Sequence, residues 1–184
     1  MLTLETERLL LRPASRADLD AVQTWAADAE NVKYMSWGPN TRQETWNFLV
    51  ECEAAALETP RMKYDFVAVL KETGRVIGSC GVYLEKNGST GMLGWILHRE
   101  FHGLGLGTEL ARALVAFGFE QLGLHRIYAY CYADNRASSR VMEKAGLRRE
   151  GRSVKSELLR NSSPDDWRDI DWYAILKEEY FHDR

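Results

Sequence analysis

The sequence has little cysteine, little proline and no long apolar run, and each shortage excludes a class of protein. Its three cysteines, Cys52, Cys80 and Cys131, form no Cys-x-x-Cys pair, which argues against a disulfide framework or a zinc site and fits a reducing cytoplasm. Four prolines in 184 residues exclude a collagen-like or proline-rich chain. The best apolar stretch, residues 113–119, falls far short of the roughly 18 residues of a membrane span, so we expect no membrane association.

Positive charge is also in short supply. The chain carries 24 basic and 27 acidic side chains, a net charge of −3, which gives no reason to expect nucleic-acid binding. Neither the cysteines nor the four histidines have metal-ligand spacing, so no metal site is expected. With 45% hydrophobic residues, the chain has the composition of one folded domain, which we expect to span residues 1–184.

The charges are unevenly distributed along the chain. Residues 1–60 carry 5 basic and 10 acidic side chains, residues 135–160 carry 8 and 3, and residues 161–184 carry 3 and 7. A basic segment therefore lies between acidic ends. Two interpretations remain open: a solvated mixed-charge surface, or an anion site on one side of the molecule and a cation site on the other.

The first third of the chain predicts one strand and two helices. A mainly apolar run over residues 3–12 indicates a strand that ends at Pro13. Ser15 and Asp18 are residue types that begin helices, and apolar positions at helical spacing follow them. Thr41 begins a second predicted helix. The expected buried face of that helix consists of Trp46, Leu49, Val50 and Ala54.

The rest of the chain predicts six strands and two helices. Asn87-Gly88 is a strong hairpin signal, and Asn135 and Gly146 are typical of a helix start and stop. The predicted strands are 64–70, 75–84, 91–98, 126–132, 148–154 and 170–176, and the predicted helices are 108–122 and 135–145. The resulting order, β-α-α-β-β-β-α-β-α-β-β, predicts an α/β (α+β) fold with a mixed, mostly antiparallel sheet covered by helices.

The most informative segment, here called the glycine loop, lies between a predicted strand and a predicted long helix. It consists of His102, Gly103, Leu104, Gly105, Leu106, Gly107 and Thr108. Three glycines within five positions allow backbone N–H groups to face a ligand, because no Cβ stands in the way. The following helix adds the positive end of its dipole and its free N–H groups, so the glycine loop predicts an anion site suited to a pyrophosphate.

Two other phosphate-binding motifs do not match the glycine loop. A nucleotide-binding P-loop requires a lysine after its last glycine, and none follows Gly107. The dinucleotide-binding motif Gly-x-Gly-x-x-Gly also requires a carboxylate about 20 residues later, and residues 126–128 contain none. An NAD-dependent oxidoreductase is therefore disfavoured.

At the glycine loop the sequence resembles the GNAT superfamily of acyl-CoA-dependent N-acyltransferases. The family's pyrophosphate loop reads Gln/Arg-x-x-Gly-x-Gly/Ala, and residues 102–107 follow it with His102 in the first position. That departure affects a side-chain contact, whereas the backbone cradle is retained.

Two further segments resemble the same superfamily. Residues 135–147 are similar to its Asn-x-x-Ser-x-x-Val-x-Glu-Lys-x-Gly-Phe block, with Asn135 and Ser138 in register. Residues 6–13 resemble the first strand of the branch that includes the ribosomal-protein N-terminal acetyltransferases (RimJ/RimL type). The resemblance covers nearly the whole chain.

The resemblance implies a splayed central sheet. The strand over residues 91–98 is implied to diverge from residues 126–132, and the pantetheine arm of acetyl-CoA fills the gap and satisfies its backbone groups. Asn135 is implied to reach that arm. The implied acetyl-CoA-binding residues are Trp95, Ile96, Leu97, the seven residues of the glycine loop, Asn135 and Ser138.

The resemblance also implies how an acetyl group is transferred. A backbone N–H near Leu97 would stabilise the oxyanion. Met142 stands where many relatives carry a proton-donating tyrosine, and the RimJ/RimL branch points instead to Ser138 as the acid. Met92 stands where that branch often carries a glutamate base. The candidate bases that remain open are Glu85, Asp134, Asp169 and Asp171.

The implied acceptor is a primary amine. An α-amine with a pKa of about 7.8 is roughly 10–15% neutral at pH 7, whereas a lysine amine with a pKa of about 10.4 is below about 0.1% neutral. An enzyme without an obvious base is therefore better suited to a protein N-terminal α-amine. A small amine such as a polyamine or an aminoglycoside is the alternative, and a non-catalytic acyl-CoA-binding module is an alternative of another class.

The acceptor site is implied by position in the family. Tyr34 and Trp37 fall in segments that border it in relatives, so we expect them to bind substrate. The acidic regions 1–60 and 161–184 flank its entrance in relatives, which favours a cationic acceptor such as a basic protein N-terminus. The chain is expected to be a monomer or a homodimer.

Overall fold

The computed structural model of the chain describes residues 2–159 and 165–182. The strands are β1 (Leu4–Glu5), β2 (Leu9–Pro13), β3 (Lys63–Leu70), β4 (Val76–Leu84), β5 (Thr90–Leu97), β6 (Arg126–Tyr132), β7 (Arg148–Leu158) and β8 (Trp167–Leu176). The helices are α1 (Leu19–Ala26), α2 (Ala29–Val32), α3 (Arg42–Ala55), α4 (Leu106–Ala116), α5 (Arg136–Lys144) and α6 (Lys177–His182). None of these described helices is long and apolar enough to cross a membrane.

The eight strands form one sheet in the order β1-β2-β3-β4-β5-β6-β8-β7. Every neighbouring pair is antiparallel except β5 and β6, which are parallel. The predicted hairpin between β4 and β5 is present: the Asn87 side chain accepts hydrogen bonds from the N–H groups of Ser89 and Thr90. The predicted mixed, mostly antiparallel sheet is therefore confirmed.

Each face of the sheet packs against its own helices. On one face α4 buries Leu110 and Leu114, as its helical spacing predicts. On the other face α1 and α3 contribute Trp25 and Leu49 to a second core. Burial of one such side chain stabilises the fold by about 1.5–3 kcal/mol, so both faces hold the sheet in place.

The predicted first strand over residues 3–12 is two strands, β1 and β2, which form an N-terminal hairpin. The Thr6 N–H donates to the Leu9 carbonyl, and the Leu9 N–H donates to the Thr6 hydroxyl, each at 2.9 Å. Both halves are extended and apolar, so the local pattern does not reveal the turn between them.

The predicted buried face of α3 is wrong for three of its four residues, and only Leu49 is buried as predicted. Trp46 and Val50 are 37% and 39% exposed, and Ala54 is also exposed. The face that packs against the sheet instead carries Thr45, Leu49, Cys52 and Ala55. Trp46 lies under the guanidinium of Arg16 at 5.8 Å, which covers part of its ring without burying it.

The sequence also underestimated several lengths. The short helices α2 and α6 were missed, and β7 and β8 are longer than the predicted strands. The predicted helix 108–122 is α4 followed by a wider turn over Phe117–Gln121. Only four and six residues form α2 and α6, which is too few for a periodic apolar pattern.

Candidate active site

The sheet opens between β5 and β6. The two strands pair only over residues 90–92 and 126–128. Beyond this point β5 continues to Leu97 and β6 to Tyr132, while β6 remains paired with β8 on its other side. The facing backbone groups of β5 and β6 therefore have no partner in the sheet, which confirms the predicted splay and supplies hydrogen-bonding groups to a ligand.

A cavity of about 490 Å³ lies at this opening, within the range of small-molecule sites. Strands β3 to β6 and helices α1 and α5 contribute to its walls. Six of the predicted site residues line it: Tyr34, Trp37, Trp95, Ile96, Asn135 and Ser138. Leu97 and the glycine loop lie outside that lining, so the structure does not bring all the predicted residues to one surface.

The glycine loop adopts a backbone that L side chains rarely adopt. Gly103 and Gly105 both have φ of +79°, and Gly105 is the residue at which α4 begins. Apart from its chain neighbours, no atom of the described residues lies within 4 Å of the place where a Cβ on Gly103 would stand. The backbone is therefore open to a ligand at the N-terminus of α4, and Leu106, Gly107 and Thr108 form its first turn.

His102 contacts the end of β5. Its Nε2 lies 2.9 Å from the Leu97 carbonyl oxygen, which also accepts a hydrogen bond from the Asn31 side chain at 3.1 Å. The side-chain Oδ1 of Asn31 accepts a hydrogen bond from the N–H of Arg99 at 2.6 Å. The histidine thus connects the glycine loop to β5, and Asn31, which the sequence did not reveal, connects α2 to the same end of β5.

The N–H of Leu97 faces away from β4. The next residue, His98, donates its N–H to Ile77 on the β4 side at 2.8 Å. Successive N–H groups of a strand alternate in direction, so the Leu97 N–H is directed toward the opening. Its direction is compatible with the predicted oxyanion contact.

Helix α5 presents Asn135 and Ser138 to the cavity. Asn135 begins the helix, and its side-chain oxygen accepts the N–H of Ser138 at 3.2 Å, which fixes both residues at the first turn. Met142 is fully buried in the core, so it contributes packing one turn further along. Ser138 is thus the hydroxyl that this helix offers to the cavity.

The predicted acceptor residues lie on the side of the cavity formed by α1 and the segment after α2. Tyr34 and Trp37 both line the cavity. The ring centroid of Tyr34 lies 6.5 Å from the ring centroid of Tyr132 on β6. Aromatic side chains from two elements therefore border the opening.

The four candidate bases are engaged elsewhere, and none lines the cavity. Glu85 accepts a hydrogen bond from Tyr128 at 2.5 Å, and Asp134 and Asp169 pair with Arg168 and Arg152. Asp171 accepts from Arg152 and Arg149, which hold the pKa of its carboxyl well below the ordinary range. The carboxylates that line the cavity are Asp65 and Glu157, which the sequence did not single out.

The basic segment 135–160 and the acidic segment 161–184 do not lie on separate sides of the molecule, as the sequence had suggested. Pairing of β7 with β8 brings the basic and acidic segments together, so Arg149 and Arg152 neutralise Asp171. Asp166 pairs with Arg168, two residues further along the same acidic segment. These acids therefore do not form an unpaired acidic rim, and the charge of the cavity depends on the residues that line it.

The N-terminal hairpin holds the glycine loop. Arg8 donates from Nη1 to the Leu104 carbonyl at 3.0 Å and from Nε to Glu109 on α4 at 2.7 Å. Glu109 also accepts from the Thr6 hydroxyl and the Arg8 N–H, at 2.5 and 2.7 Å. Residues that are about a hundred positions apart in the chain thus meet at the predicted anion site.

We expect Arg8→Ala to weaken acetyl-CoA binding about fivefold, because the Leu104 carbonyl loses a hydrogen bond that contributes about 1 kcal/mol to the order of the loop. Isothermal titration calorimetry measures this. Lys71→Ala is the matched control: it removes one positive charge from the same hairpin, where Lys71 contacts Glu5 and Thr6 instead of the loop. An equal loss of acetyl-CoA affinity in both variants would mean that Arg8 acts only through its charge and not through its hydrogen bond to the loop.

Comparisons with known proteins agree with this geometry. The family model of the acetyltransferase (GNAT) domain matches residues 8–148. The N-acetyltransferase YnaD of Bacillus subtilis (strain 168) is 32% identical over 175 residues, which cover 95% of this chain and 97% of YnaD. The crystal structure of a GNAT-family acetyltransferase from Bacillus anthracis has a TM-score of 0.83 and 30% identity, and covers 96% of this chain and 99% of its own.

Two more distant structures share the fold. The ribosomal-protein-S5-alanine acetyltransferase of Vibrio fischeri is 18% identical with a TM-score of 0.81, covering 97% of this chain and 98% of its own. The spermidine N-acetyltransferase of Vibrio cholerae, in complex with CoA and spermine, is 19% identical with a TM-score of 0.80, covering 96% and 99%. At these identities the likeness concerns the fold alone.

Proposed function

Because this chain belongs to the acetyltransferase (GNAT) domain family and is an N-acetyltransferase, we propose that it transfers the acetyl group of acetyl-CoA to a protein N-terminal α-amine. The observation that carries the acetyl-CoA assignment is the glycine loop at the start of α4, beside the opening between β5 and β6. The loop holds the pyrophosphate with residues 102–108, and the pantetheine arm enters the opening past Trp95, Ile96 and Asn135.

The proposed transfer uses groups at the opening. The amine nitrogen attacks the thioester carbonyl, and the Leu97 N–H stabilises the negative charge that develops on its oxygen. The C–S bond then breaks, and the Ser138 hydroxyl gives a proton to the leaving thiolate. Tyr34 and Trp37 border the acceptor, and no step requires a metal.

An α-amine fits this site for two reasons. With a pKa of about 7.8, it is already partly neutral at pH 7. The carboxylates Asp65 and Glu157 in the cavity favour an acceptor that carries positive charge, such as a basic N-terminal segment. The same carboxylates also favour a polyamine, which is therefore the second candidate acceptor.

The membership in the GNAT family also underlies our proposals on the branch, the domain extent, the compartment and the oligomeric state. We place the chain in the RimJ/RimL-type branch, supported by the motif over residues 6–13 and by the fold shared with the S5-alanine acetyltransferase. One domain spans residues 1–184 and acts in the cytoplasm as a monomer or homodimer. The three buried free cysteines support a reducing compartment.

A thiol-release assay with acetyl-CoA tests the acceptor. The panel contains peptides with a neutral, acidic or basic residue after an N-terminal serine, together with spermidine, at low and high salt; an N-acetylated basic peptide is the blocked control. We expect the highest kcat/KM for the basic peptide at low salt, with a preference that falls as salt rises. Higher efficiency with spermidine would establish the polyamine instead. Tight acetyl-CoA binding without turnover of any amine would establish a non-catalytic module.

We expect Ser138→Ala to lower kcat by about a hundredfold, the lower end of general acid catalysis, while acetyl-CoA affinity stays near the wild-type value. Steady-state kinetics and calorimetry measure the two effects separately. Ser139→Ala is the matched control, since this neighbouring hydroxyl is buried against Cys131 and outside the cavity lining. Wild-type kcat in Ser138→Ala would restrict the serine to a role in the first turn of α5.

A further inference from the structure

A buried carboxylate lies in the wall of the cavity. Asp65 on β3 is 7% exposed and lines the cavity together with Gly94 on β5. Asp65 is opposite Gly81 on β4, which is opposite Gly94, so the three residues form one row across the sheet and share a face. With neighbouring strands about 4.8 Å apart, the Cα atoms of Asp65 and Gly94 are about 10 Å apart. Both ends of this row line the cavity, so an amine bound in the cavity can approach the carboxylate.

Tyr83 fixes the direction of this carboxylate. Its hydroxyl donates to Asp65 Oδ1 at 2.8 Å. The tyrosine ring lies over two glycines: a Cβ on Gly81 would be 2.7 Å from Tyr83 Oη, and one on Gly94 would be 3.3 Å from its Cε2. A side chain on Gly81 would displace the Tyr83 hydroxyl, and one on Gly94 would shift the ring by a few tenths of an ångström, so the lack of a Cβ at Gly81 favours the Tyr83–Asp65 contact.

Asp65 has a hydrogen bond but no ion pair within the described residues. Burial raises the pKa of the Asp65 carboxyl, while the Tyr83 hydrogen bond and the more distant charges of Lys63 and Arg61 oppose that rise. The thiol of Cys52, from α3, also faces it. A buried carboxylate without a cation is costly, and a ligand with a positive charge removes that cost.

We propose that Asp65, oriented by Tyr83, binds the ammonium group of the acceptor and takes the proton that the nitrogen must lose before it attacks. This inference rests on the proposed acetyl transfer. The ammonium gives one proton to the Asp65 carboxylate, and the freed lone pair forms the C–N bond to the thioester carbon. The C–S bond breaks and its electron pair goes to sulfur. Sulfur takes the Ser138 proton, and Ser138 recovers one from the nitrogen, so protons and electrons balance.

The principal variant is Asp65→Asn, which keeps the size of the side chain and removes its charge. We expect kcat/KM for the basic peptide to fall at least about a hundredfold, with acetyl-CoA affinity unchanged. Because the variant removes an unpaired buried charge, its melting temperature should not fall. Glu85→Gln is the control: this exposed carboxylate lies outside the cavity and should retain activity within twofold. Activity of Asp65→Asn within threefold of wild type would overturn the proposal.

Tyr83→Phe tests the positioning role through the pH profile. Loss of the phenol donor removes a contact that lowers the pKa of Asp65, so that pKa rises. Since Asp65 must be ionised to take the proton, the acid limb of kcat/KM should move to higher pH than in the wild type. The pKa of the free acceptor amine is the same in both experiments. A shift of the acid limb between wild type and Tyr83→Phe therefore reports a change in the enzyme. An unmoved limb would contradict the assignment.

A binding measurement separates this inference from the proposed function. Calorimetry with spermidine and with the basic peptide, in the presence of CoA, reports amine binding without any turnover. We expect Asp65→Asn to weaken both at least tenfold and to leave CoA binding intact. If the wild type binds the amines through Asp65 but transfers no acetyl group, the proposed activity fails and Asp65 keeps only the role of binding the amine. If Asp65→Asn binds the amines as tightly as the wild type, this inference fails and the acetyltransferase assignment stands.

Discussion

Replacement of Gly105 by valine is expected to raise the dissociation constant of acetyl-CoA about a hundredfold. Gly105 has φ of +79°, so a branched side chain there is strained, and its Cβ would lie 3.5 Å from the Arg8 guanidinium. The strain shifts the N–H groups that face the pyrophosphate, and charge-assisted hydrogen bonds of about 1.5–3 kcal/mol each are lost or lengthened. Loss of about 3 kcal/mol corresponds to the hundredfold change.

Calorimetry with acetyl-CoA on the folded variant measures this effect. Gly74→Val is a matched control, because Gly74 also has a positive φ, +68°, in the turn between β3 and β4, with no atom near its Cβ position. The control carries comparable backbone strain away from the loop and should bind acetyl-CoA normally. Unchanged affinity in Gly105→Val would remove the pyrophosphate assignment.

Asp18→Ala is expected to lower the free energy of unfolding by about 3 kcal/mol. Asp18 is 3% exposed and accepts from both terminal nitrogens of Arg12, at 2.9 and 2.5 Å, and from the Ser15 N–H at 3.0 Å. Removing one partner of a buried pair leaves the other without compensation, which costs about 3–5 kcal/mol. The lower end applies because a third of the Arg12 side chain is exposed.

Urea denaturation followed by circular dichroism measures the loss. Asp20→Ala is the control two residues away: Asp20 pairs with Arg42, and both side chains are largely exposed. Such a pair contributes about 1 kcal/mol or less, so the control should unfold near the wild-type midpoint. A similar loss in both variants would show that Asp18 contributes only as one of several acids near the start of α1.

Most of the fold was predictable because its signals are local. The hairpin at Asn87-Gly88 and the helix start at Asn135 depend on the conformations of a few neighbouring residues. The face of α3 was not predictable from the same kind of signal. Hydrophobicity favours burial of Trp46, but the position of α3 against β3 and α1 decided that Thr45 and Cys52 face inward.

The site residues likewise fall into those that local sequence predicts and those that depend on long-range strand pairing. The glycine loop was found from the sequence because close backbone approach and positive φ both require glycine, whatever the rest of the chain does. Six of the predicted site residues do line the cavity, since the resemblance carried their relative positions with it. The candidate bases lie outside the cavity lining, and ion pairs between β7 and β8 engage two of them, Asp169 and Asp171. The sequence did not reveal these pairs because strand pairing joins residues that are far apart in the chain.

By itself, then, the sequence determined most of the strands and helices, the glycine loop and the resemblance to the family, because each depends on residues close together in the chain. The tertiary structure decided which carboxylates line the cavity: Asp65 reaches it and meets Tyr83 through the register of β3 against β4. It also decided that Arg8 holds a loop almost a hundred residues away. Contacts of this kind leave no periodic signal in the sequence, since they arise only when the sheet aligns distant segments.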